Sequence, residues 1–182
     1  MLKSILTCAV AVTIAVSLVW AQPPAKKQPA SPPADTSVTI AGKTLTIKYS
    51  APSVRGRQMF GPGGVISKDS TYPVWRAGAN SATAFHTDAD LDIKGLAVPK
   101  GDYTIYAKVD AQPWLLIINK QTGQWGLTYN QSQDLGRVPM DMSKPPAPIE
   151  TCKITLSSTG ANTGKLQVEF ENYIASVPFT VK

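Results

Sequence analysis

Short runs that alternate apolar and polar residues constrain the fold of this chain more than any other feature. Leu45, Ile47 and Tyr49 alternate with Thr46 and Lys48, so that every apolar side chain lies on one face of an extended strand. The same period of two recurs in the runs 38–40, 91–93, 103–109, 152–156, 166–170 and 177–181. No segment keeps an apolar period of 3.6 beyond a turn or two. The pattern therefore predicts an all-β fold, an antiparallel β-sandwich or a flattened barrel of about eight or nine short strands.

One apolar run breaks this alternation. Residues 114–118 read WLLII, and five residues are too few for a typical helix. A strand without polar positions is typical of the middle of a sheet that is covered on both faces. We therefore expect a central strand here.

The first 21 residues have the pattern of a secretory signal peptide. Lys3 supplies a positive start, the apolar run Ile5–Val19 follows, and Ala21 offers the small residue that a signal peptidase needs. A transmembrane anchor is the alternative, but this run is shorter than the roughly 20 residues that cross a bilayer. We expect cleavage after Ala21, export to the periplasm or the extracellular space, and no stable membrane insertion of the cleaved protein.

A proline-rich segment separates this peptide from the strands. Residues 22–36, QPPAKKQPASPPADT, contain five prolines and no large apolar residue. Such a composition cannot bury enough surface to order itself. It predicts a disordered, semi-rigid linker at 22–36 and a single β-sandwich domain at 37–182.

Charge and cysteine content narrow the functional classes. Loss of Lys3 with the signal peptide lowers the net charge from +6 to +5, because residues 1–21 contain no acidic residue. The remaining basic residues are scattered, without a basic stripe interleaved with aromatic residues, so nucleic acid is not an expected partner. Cys152 is the only cysteine after residue 21 and cannot form an intramolecular disulfide. Its position at the head of an alternating run predicts a buried, small apolar side chain.

Two adjacent stretches depart from the strand pattern. Residues 51–73 form a long connection rich in glycine and proline, and loops of this length in a domain are usually functional or disordered. Met59 and Phe60 indicate that part of this loop packs down, which would hold Arg55 and Arg57 in place. The following stretch, YPVWRAGANSAT at 72–83, has neither a strand nor a helix period.

These stretches supply most of a candidate ligand site. A guanidinium grips a carboxylate or phosphate and stacks on an indole, and indole faces and amides also suit sugars. If the 51–73 loop folds over the 72–83 stretch, the candidate groups can converge on a shallow pocket. The candidate residues are Arg57, Trp75, Arg76, Asn80, Lys120 and Trp125. The structural alternative makes Trp75 and Trp125 core anchors, with Arg76 bound to loop carbonyls and Asn80 capping a turn.

The sequence gives little support for a metal site or a calcium-binding loop. His86 is the only histidine, so a zinc or copper site is not expected, and we predict no metal and no cofactor. Asp88, Asp90 and Asp92 have the spacing that begins an EF-hand loop, but the glycine and glutamate of that loop do not follow. A solvated strand edge is the better interpretation.

These observations favour a binding domain over an enzyme. Its expected partner is a small anionic or saccharide ligand, or a component of the cell envelope. Two alternatives stay open: a hydrolase that uses His86 or a carboxylate with Arg76, and a purely structural envelope domain.

The same residues carry a resemblance to a known family. The runs SAPSVRGR at 50–57, VWRAGAN at 74–80, PKGDY at 99–103 and QWG at 124–126 resemble domain-of-unknown-function family 2911, a family of exported, β-rich bacterial proteins. The resemblance spans roughly Val38 to Val181, and the WRAGAN run is its most specific part. It implies an exported bacterial domain and supplies no catalytic residues.

Overall fold

Strand β2 (Lys43–Ser50) shows how the alternation builds the core. Leu45 and Ile47 are fully buried, whereas Lys48 between them and the strand end is exposed. The computed structural model, which describes residues 30–182, repeats this arrangement in two antiparallel sheets packed face to face. The β-sandwich expected from the sequence is therefore confirmed.

The first sheet contains seven strands in the order β1-β2-β4-β7-β8-β9, with β3 beside β7. Its strands are β1 (Pro33–Ile40), β2, β3 (Val74–Trp75), β4 (Thr83–Thr87), β7 (Gly101–Lys108), β8 (Leu115–Asn119) and β9 (Asp134–Pro139). All their pairings are antiparallel.

The second sheet contains six strands in the order β11-β12-β13-β5-β6, with β10 beside β13. Its strands are β5 (Leu91–Ile93), β6 (Leu96–Val98), β10 (Asp141–Ser143), β11 (Ile149–Ser158), β12 (Thr163–Glu171) and β13 (Tyr173–Val181). Two short 3₁₀-helices, Ile66–Lys68 and Gln131–Gln133, lie in the connections.

Contacts between edge strands close the sandwich on both sides. On one side β1 packs against β11, where the Leu156 N–H donates to Thr36 Oγ1 over 3.2 Å. On the other side β6 packs against β9, and the side chain of Leu96 fills the space that a Cβ on Gly136 would need. The two sheets stay separate ladders, so the fold is a sandwich and not a closed barrel.

Strand β8 is covered on both faces, as the apolar run predicts. Leu116 and Ile118 belong to the main core between the sheets. Ile117 points to the other face and forms a small second cluster with Val74 and Tyr106, against which Tyr129 packs. The connection between β8 and β9 therefore lies over the outer face of the first sheet.

Two expectations need correction in detail. Strand β1 begins at Pro33, so residues 33–36 of the predicted linker pair with β2. Pairing with a neighbouring strand orders them despite their composition. Residues 1–29, which include the predicted signal peptide and most of the predicted linker, lie outside the described residues.

The described chain has thirteen strands where eight or nine were expected. Strands of two or three residues form where a pairing partner lies beside them, and they are too short to leave a period in the sequence.

Candidate functional site

Trp75 anchors the irregular 72–83 stretch in the core. It ends the two-residue strand β3, pairs with Ala107 and is 2% exposed. Its ring lies edge-on to Phe60, with centroids 5.3 Å apart, and is stacked near Phe170 at 6.1 Å. Its Nε1–H donates to the carbonyl of Gly78 over 3.1 Å, which gives the indole the partner a buried N–H requires. The structural interpretation of Trp75 as a core anchor is therefore correct.

Beyond Trp75 the chain leaves the sheet in a tight turn. Ala77 and Asn80 adopt positive φ angles of 50° and 59°, which L-residues rarely adopt. Gly78 lies between them, and a Cβ there would come within 3.0 Å of both Ser50 O and Thr83 Oγ1. The close approach explains why this stretch is made of small residues.

The 51–73 loop is ordered and folds over this turn. Met59 and Phe60 are buried, and the Met59 N–H donates to Glu171 Oε1 over 2.8 Å. Arg57 donates from Nε to Val54 O at 3.0 Å and from Nη2 to Ser53 O at 2.7 Å. The prediction that this loop packs down and holds its arginines is confirmed.

Arg76 joins the loop to the turn. Its Nη2 lies 2.8 Å from Asp69 Oδ2, and the two side chains are 12% and 20% exposed. Its Nη1 makes a longer bond of 3.4 Å to Asn80 O. Its Nε is buried and has no hydrogen-bond partner among residues 30–182. The carboxylate of Asp69 therefore balances the charge of Arg76.

Trp125 reaches this region from the connection between β8 and β9. The Ala82 N–H donates to Gln124 O at 3.1 Å, and the Gly126 N–H donates to Asn80 O at 3.0 Å. These two bonds hold Trp125 beside Ser81 in an isolated antiparallel bridge. Its side chain is nevertheless 53% exposed, so Trp125 is not the core anchor of the structural interpretation.

The loop, the turn and Trp125 enclose a cavity of about 210 Å³. We call it the Arg76 cavity. Five of the six candidate residues line it, namely Arg57, Trp75, Arg76, Asn80 and Trp125.

Lys120 is the candidate that the structure leaves outside the Arg76 cavity. It directly follows β8, its backbone N–H donates to Gln133 O at 2.8 Å, and its side chain is exposed. Sequence reasoning also missed Asp69, which lines the cavity. The signal that could have identified Asp69 is its position, seven residues before Arg76 in a loop that the sequence predicts to pack down in part.

The lining of the cavity suits binding better than acid–base chemistry. Among the described lining residues Asp69 is the only carboxylate, and none is histidine or cysteine. Hydrolysis by paired carboxylates needs a second acid, and nucleophilic catalysis needs a base beside the nucleophile. Two guanidinium groups against one carboxylate leave a net positive charge.

A comparison of the sequence with protein-family models finds one family. The model described as "Protein of unknown function (DUF2911)" matches residues 31–179, a range that includes both sheets and the Arg76 cavity. The chain belongs to the DUF2911 family. Searches of curated proteins and of solved structures found no match.

His86 of this DUF2911 domain lies in another cavity, of about 460 Å³, on the outer face of the first sheet. Its Nδ1 is 2.8 Å from Asp102 Oδ1, and its Nε2 is 3.0 Å from Asp88 Oδ1. These hydrogen bonds, first that to Asp88 and then that to Asp102, raise the pKa of His86 above its ordinary value. Since His86 and Arg76 line different cavities, the geometry does not support a hydrolase site that uses both.

Asp90 and Asp92 of the DUF2911 domain bind backbone N–H groups. Asp90 accepts the Lys100 N–H and Asp92 accepts the Gly95 N–H, each over 2.8 Å. Within residues 30–182, no group of three histidine, cysteine or acidic residues is arranged to hold a metal ion.

Cys152 is 1% exposed, and burial raises the pKa of its thiol to about 12. Among residues 30–182, no helix has the length and apolarity to span a bilayer.

Proposed function

We propose that this DUF2911 domain is an exported, non-catalytic binding domain whose Arg76 cavity holds an acidic sugar unit. The observation that carries the proposal is the half-exposed Trp125 indole on the same cavity as Arg57. An exposed indole offers a flat apolar face on which a sugar ring stacks, and a guanidinium binds a carboxylate. A binding role explains why the Trp125 indole stays exposed beside Arg57, whereas a purely structural role leaves the exposed indole unexplained.

Arg57 is the group that favours an anion. Two backbone carbonyls fix its Nε and Nη2, which leaves Nη1 available to a ligand. No carboxylate among residues 30–182 forms an ion pair with it, and residues 1–29 contain no acidic residue. Its positive charge is therefore uncompensated, in contrast to that of Arg76. A guanidinium that is already fixed loses less side-chain entropy when it binds a ligand.

The size of the Arg76 cavity favours a ligand as small as a single sugar ring. Cavities that enclose drug-sized ligands occupy roughly 300–1,000 Å³, and the Arg76 cavity has about 210 Å³. One sugar ring with a carboxylate is of this order. Asn80, which is exposed at the cavity, adds an amide that can bond a hydroxyl group.

The test compares binding of galacturonic acid and glucose to the purified protein by ligand-observed NMR and by fluorescence of its tryptophans. We expect galacturonic acid to bind more tightly, and Arg57→Gln and Trp125→Ala each to weaken its binding at least tenfold. Arg55→Gln and Tyr72→Ala are matched controls, because both residues are exposed and lie outside the cavity. Failure of both sugars to bind, or unchanged binding in both cavity variants, would overturn the proposal.

The export part of the proposal rests on residues 1–21 and has its own test. Fractionation of the native bacterium should place the protein in the periplasm or the medium, with Gln22 as its first residue. Recovery in the cytoplasm with residues 1–21 intact would contradict export without affecting the binding site.

A further inference from the structure

One oxygen of the Asp69 carboxylate has no partner among the described residues. Asp69 Oδ2 accepts from Arg76 Nη2 over 2.8 Å. Within residues 30–182 no hydrogen bond reaches Asp69 Oδ1, and this oxygen is not among the buried polar atoms that lack a partner. Because Asp69 lines the Arg76 cavity, its Oδ1 is an accessible acceptor on the cavity wall.

The surrounding contacts hold this carboxylate in place. The side chains of Asp69 and Arg76 are only 20% and 12% exposed. The backbone of Asp69 is fixed as well, since its N–H donates to Ile66 O over 3.1 Å and its carbonyl accepts the Tyr72 N–H over 3.0 Å. A polar group that is already fixed loses little conformational entropy when it binds a ligand. Asp69 Oδ1 is therefore preorganised for a hydrogen bond.

An ionised carboxylate only accepts hydrogen bonds, which limits the ligand group that Asp69 Oδ1 can bind. The ligand must supply an O–H or an N–H donor at this point. A ligand with neither group would displace water from the carboxylate without replacing its hydrogen bond. Asn80, which is exposed on the same cavity, offers the ligand a second polar partner. The two side chains together favour a ring with several hydroxyl groups over a simple organic acid.

The charge of the cavity wall limits the charge of the ligand. Among the described lining residues, Arg57 and Arg76 contribute two positive charges and Asp69 contributes one negative charge. Glu171 lies behind the wall, where its Oε1 accepts the N–H of the lining residue Met59 over 2.8 Å. The wall can therefore balance at most one negative charge of a ligand, and its carboxylate repels a second.

A sugar carboxylate and a sugar phosphate differ in this respect. A hexuronic acid carries one negative charge at neutral pH, whereas a phosphate ester carries about 1.5 to 2. In a cavity that encloses about one ring, the additional charge would lie close to the fixed carboxylate of Asp69. The cavity therefore suits the carboxylate better than the phosphate.

An amino acid is the other ligand class that could use Asp69 Oδ1, because an ammonium group also donates hydrogen bonds. The carboxylate and ammonium charges of an amino acid cancel, so the ligand would not balance the positive charge of the lining residues. It also brings no ring hydroxyl groups to Asn80. These two differences favour the hexuronic acid.

We propose that Asp69 is the specificity-determining residue of the Arg76 cavity. Its free carboxylate oxygen accepts a hydroxyl group of a hexuronic acid, and its charge disfavours phosphorylated sugars. This inference rests on the proposed function, and it adds the residue that selects among acidic ligands.

The test measures the dissociation constants of galacturonic acid, galactose 6-phosphate and cyclohexanecarboxylate at neutral pH by calorimetry with the purified protein. The three probes share a six-membered ring and differ in the charge of the acidic group or in the presence of hydroxyl groups. We expect galacturonic acid to bind at least tenfold more tightly than either of the other two.

Asp69→Asn keeps the shape of the side chain and removes its charge. It should weaken the binding of galacturonic acid, tighten the binding of galactose 6-phosphate and so remove most of the preference. Tighter binding of one probe cannot result from a loss of folded protein. Asp141→Asn is the matched control, since Asp141 is an exposed, ion-paired carboxylate outside the cavity, and it should keep the preference.

The outcomes separate the inference from the proposed function. Equal affinities for galacturonic acid and galactose 6-phosphate, or the same change of preference in Asp69→Asn and Asp141→Asn, would overturn the role of Asp69 while the Arg76 cavity stands. Equally tight binding of cyclohexanecarboxylate would overturn the recognition of a hydroxyl group. Tighter binding of phenylalanine than of galacturonic acid would assign the free oxygen to an ammonium group. No binding of galacturonic acid would overturn both the inference and the proposed function.

Discussion

Arg76 and Asp69 form a largely buried ion pair, with Nη2 and Oδ2 2.8 Å apart. Asp69 belongs to the 51–73 loop and Arg76 to the turn that follows β3, so this pair joins the two segments that enclose the Arg76 cavity. Asp69→Ala removes the carboxylate and leaves the guanidinium of Arg76, which is only 12% exposed, without its charged partner. We expect the free energy of unfolding to fall by about 1–3 kcal/mol.

Urea denaturation measures this loss, and a second pair provides the control. Lys94 Nζ and Asp141 Oδ1 are 2.7 Å apart, a similar distance, but Asp141 is 65% exposed. Exposed pairs contribute about 0–1 kcal/mol, so Asp141→Ala should cost less than Asp69→Ala. Equal losses of unfolding free energy in Asp69→Ala and Asp141→Ala would show that burial of the Arg76–Asp69 pair adds nothing to its contribution to stability.

Truncation of the two tryptophans of the cavity should lower stability by very different amounts. Trp75→Ala removes a side chain that packs among Phe60, Trp114 and Phe170, and we expect it to cost about 3–5 kcal/mol of stability. Trp125→Ala removes a half-exposed side chain and should cost less than about 1 kcal/mol. Thermal and urea unfolding of both variants measure the contrast. A large cost for Trp125→Ala would favour a structural role for that indole.

His86 should make stability depend on pH near neutrality. Its pKa in the folded protein is raised above the ordinary value near 6.5 by hydrogen bonds to Asp88 and Asp102. A raised pKa means that protonation favours the folded state, so the contribution is complete below about pH 6.5 and is lost as the pH rises through the folded-state pKa. His86→Gln should remove this dependence.

NMR titration reads this pKa directly, because the sequence contains a single histidine. We expect the imidazole signals to titrate above pH 6.5, and Asp88→Asn to lower the midpoint more than Asp102→Asn. A midpoint at or below 6.5 in the unmodified protein would show that these bonds do not form in solution.

Gly126 should tolerate no side chain. A Cβ at this position would lie 2.6 Å from the backbone oxygen of Asn80 and would overlap the Cδ of Arg76. Gly126→Ala must therefore displace the turn or the arginine, at a cost of about 1–3 kcal/mol, and should also weaken binding in the cavity. Gly123→Ala in the same connection has open space around it but a positive φ of 77°. It should lower stability through backbone strain alone, with ligand binding retained.

The regular part of the fold was predictable because its signal is local. Along β12, for example, Leu166, Val168 and Phe170 are buried and Lys165, Gln167 and Glu169 are not, as the period of two requires. The packing of Phe60 was also foreseeable, because a large aromatic residue in a glycine-rich loop has a strong drive to leave water.

The site was only partly predictable because its geometry depends on tertiary contacts. The WRAGAN run drew attention to Arg76 and Asn80, yet nothing local separates the buried Trp75 from the exposed Trp125. That difference arises from pairing, since Trp75 joins β7 and Trp125 lies in the connection that crosses the outer face. Lys120 is close to Trp125 in sequence, but the loop carries them to different places. The hollow beside His86 on the outer face of the first sheet left no signal in the sequence, because alternate polar residues of a strand look alike whether they line a hollow or a flat surface.

The packing of β1 against β11 joins parts of this domain that are far apart in the sequence. Thr36 and Leu156, for example, are 120 positions apart. Contacts of such separation form late and make folding slow. A chain that has not yet produced β11 therefore leaves the edge of β1 without its cover, a state prone to aggregation. In a growing chain, this exposure of the amino-terminal hairpin ends only when the last three strands, β11 to β13, have been made.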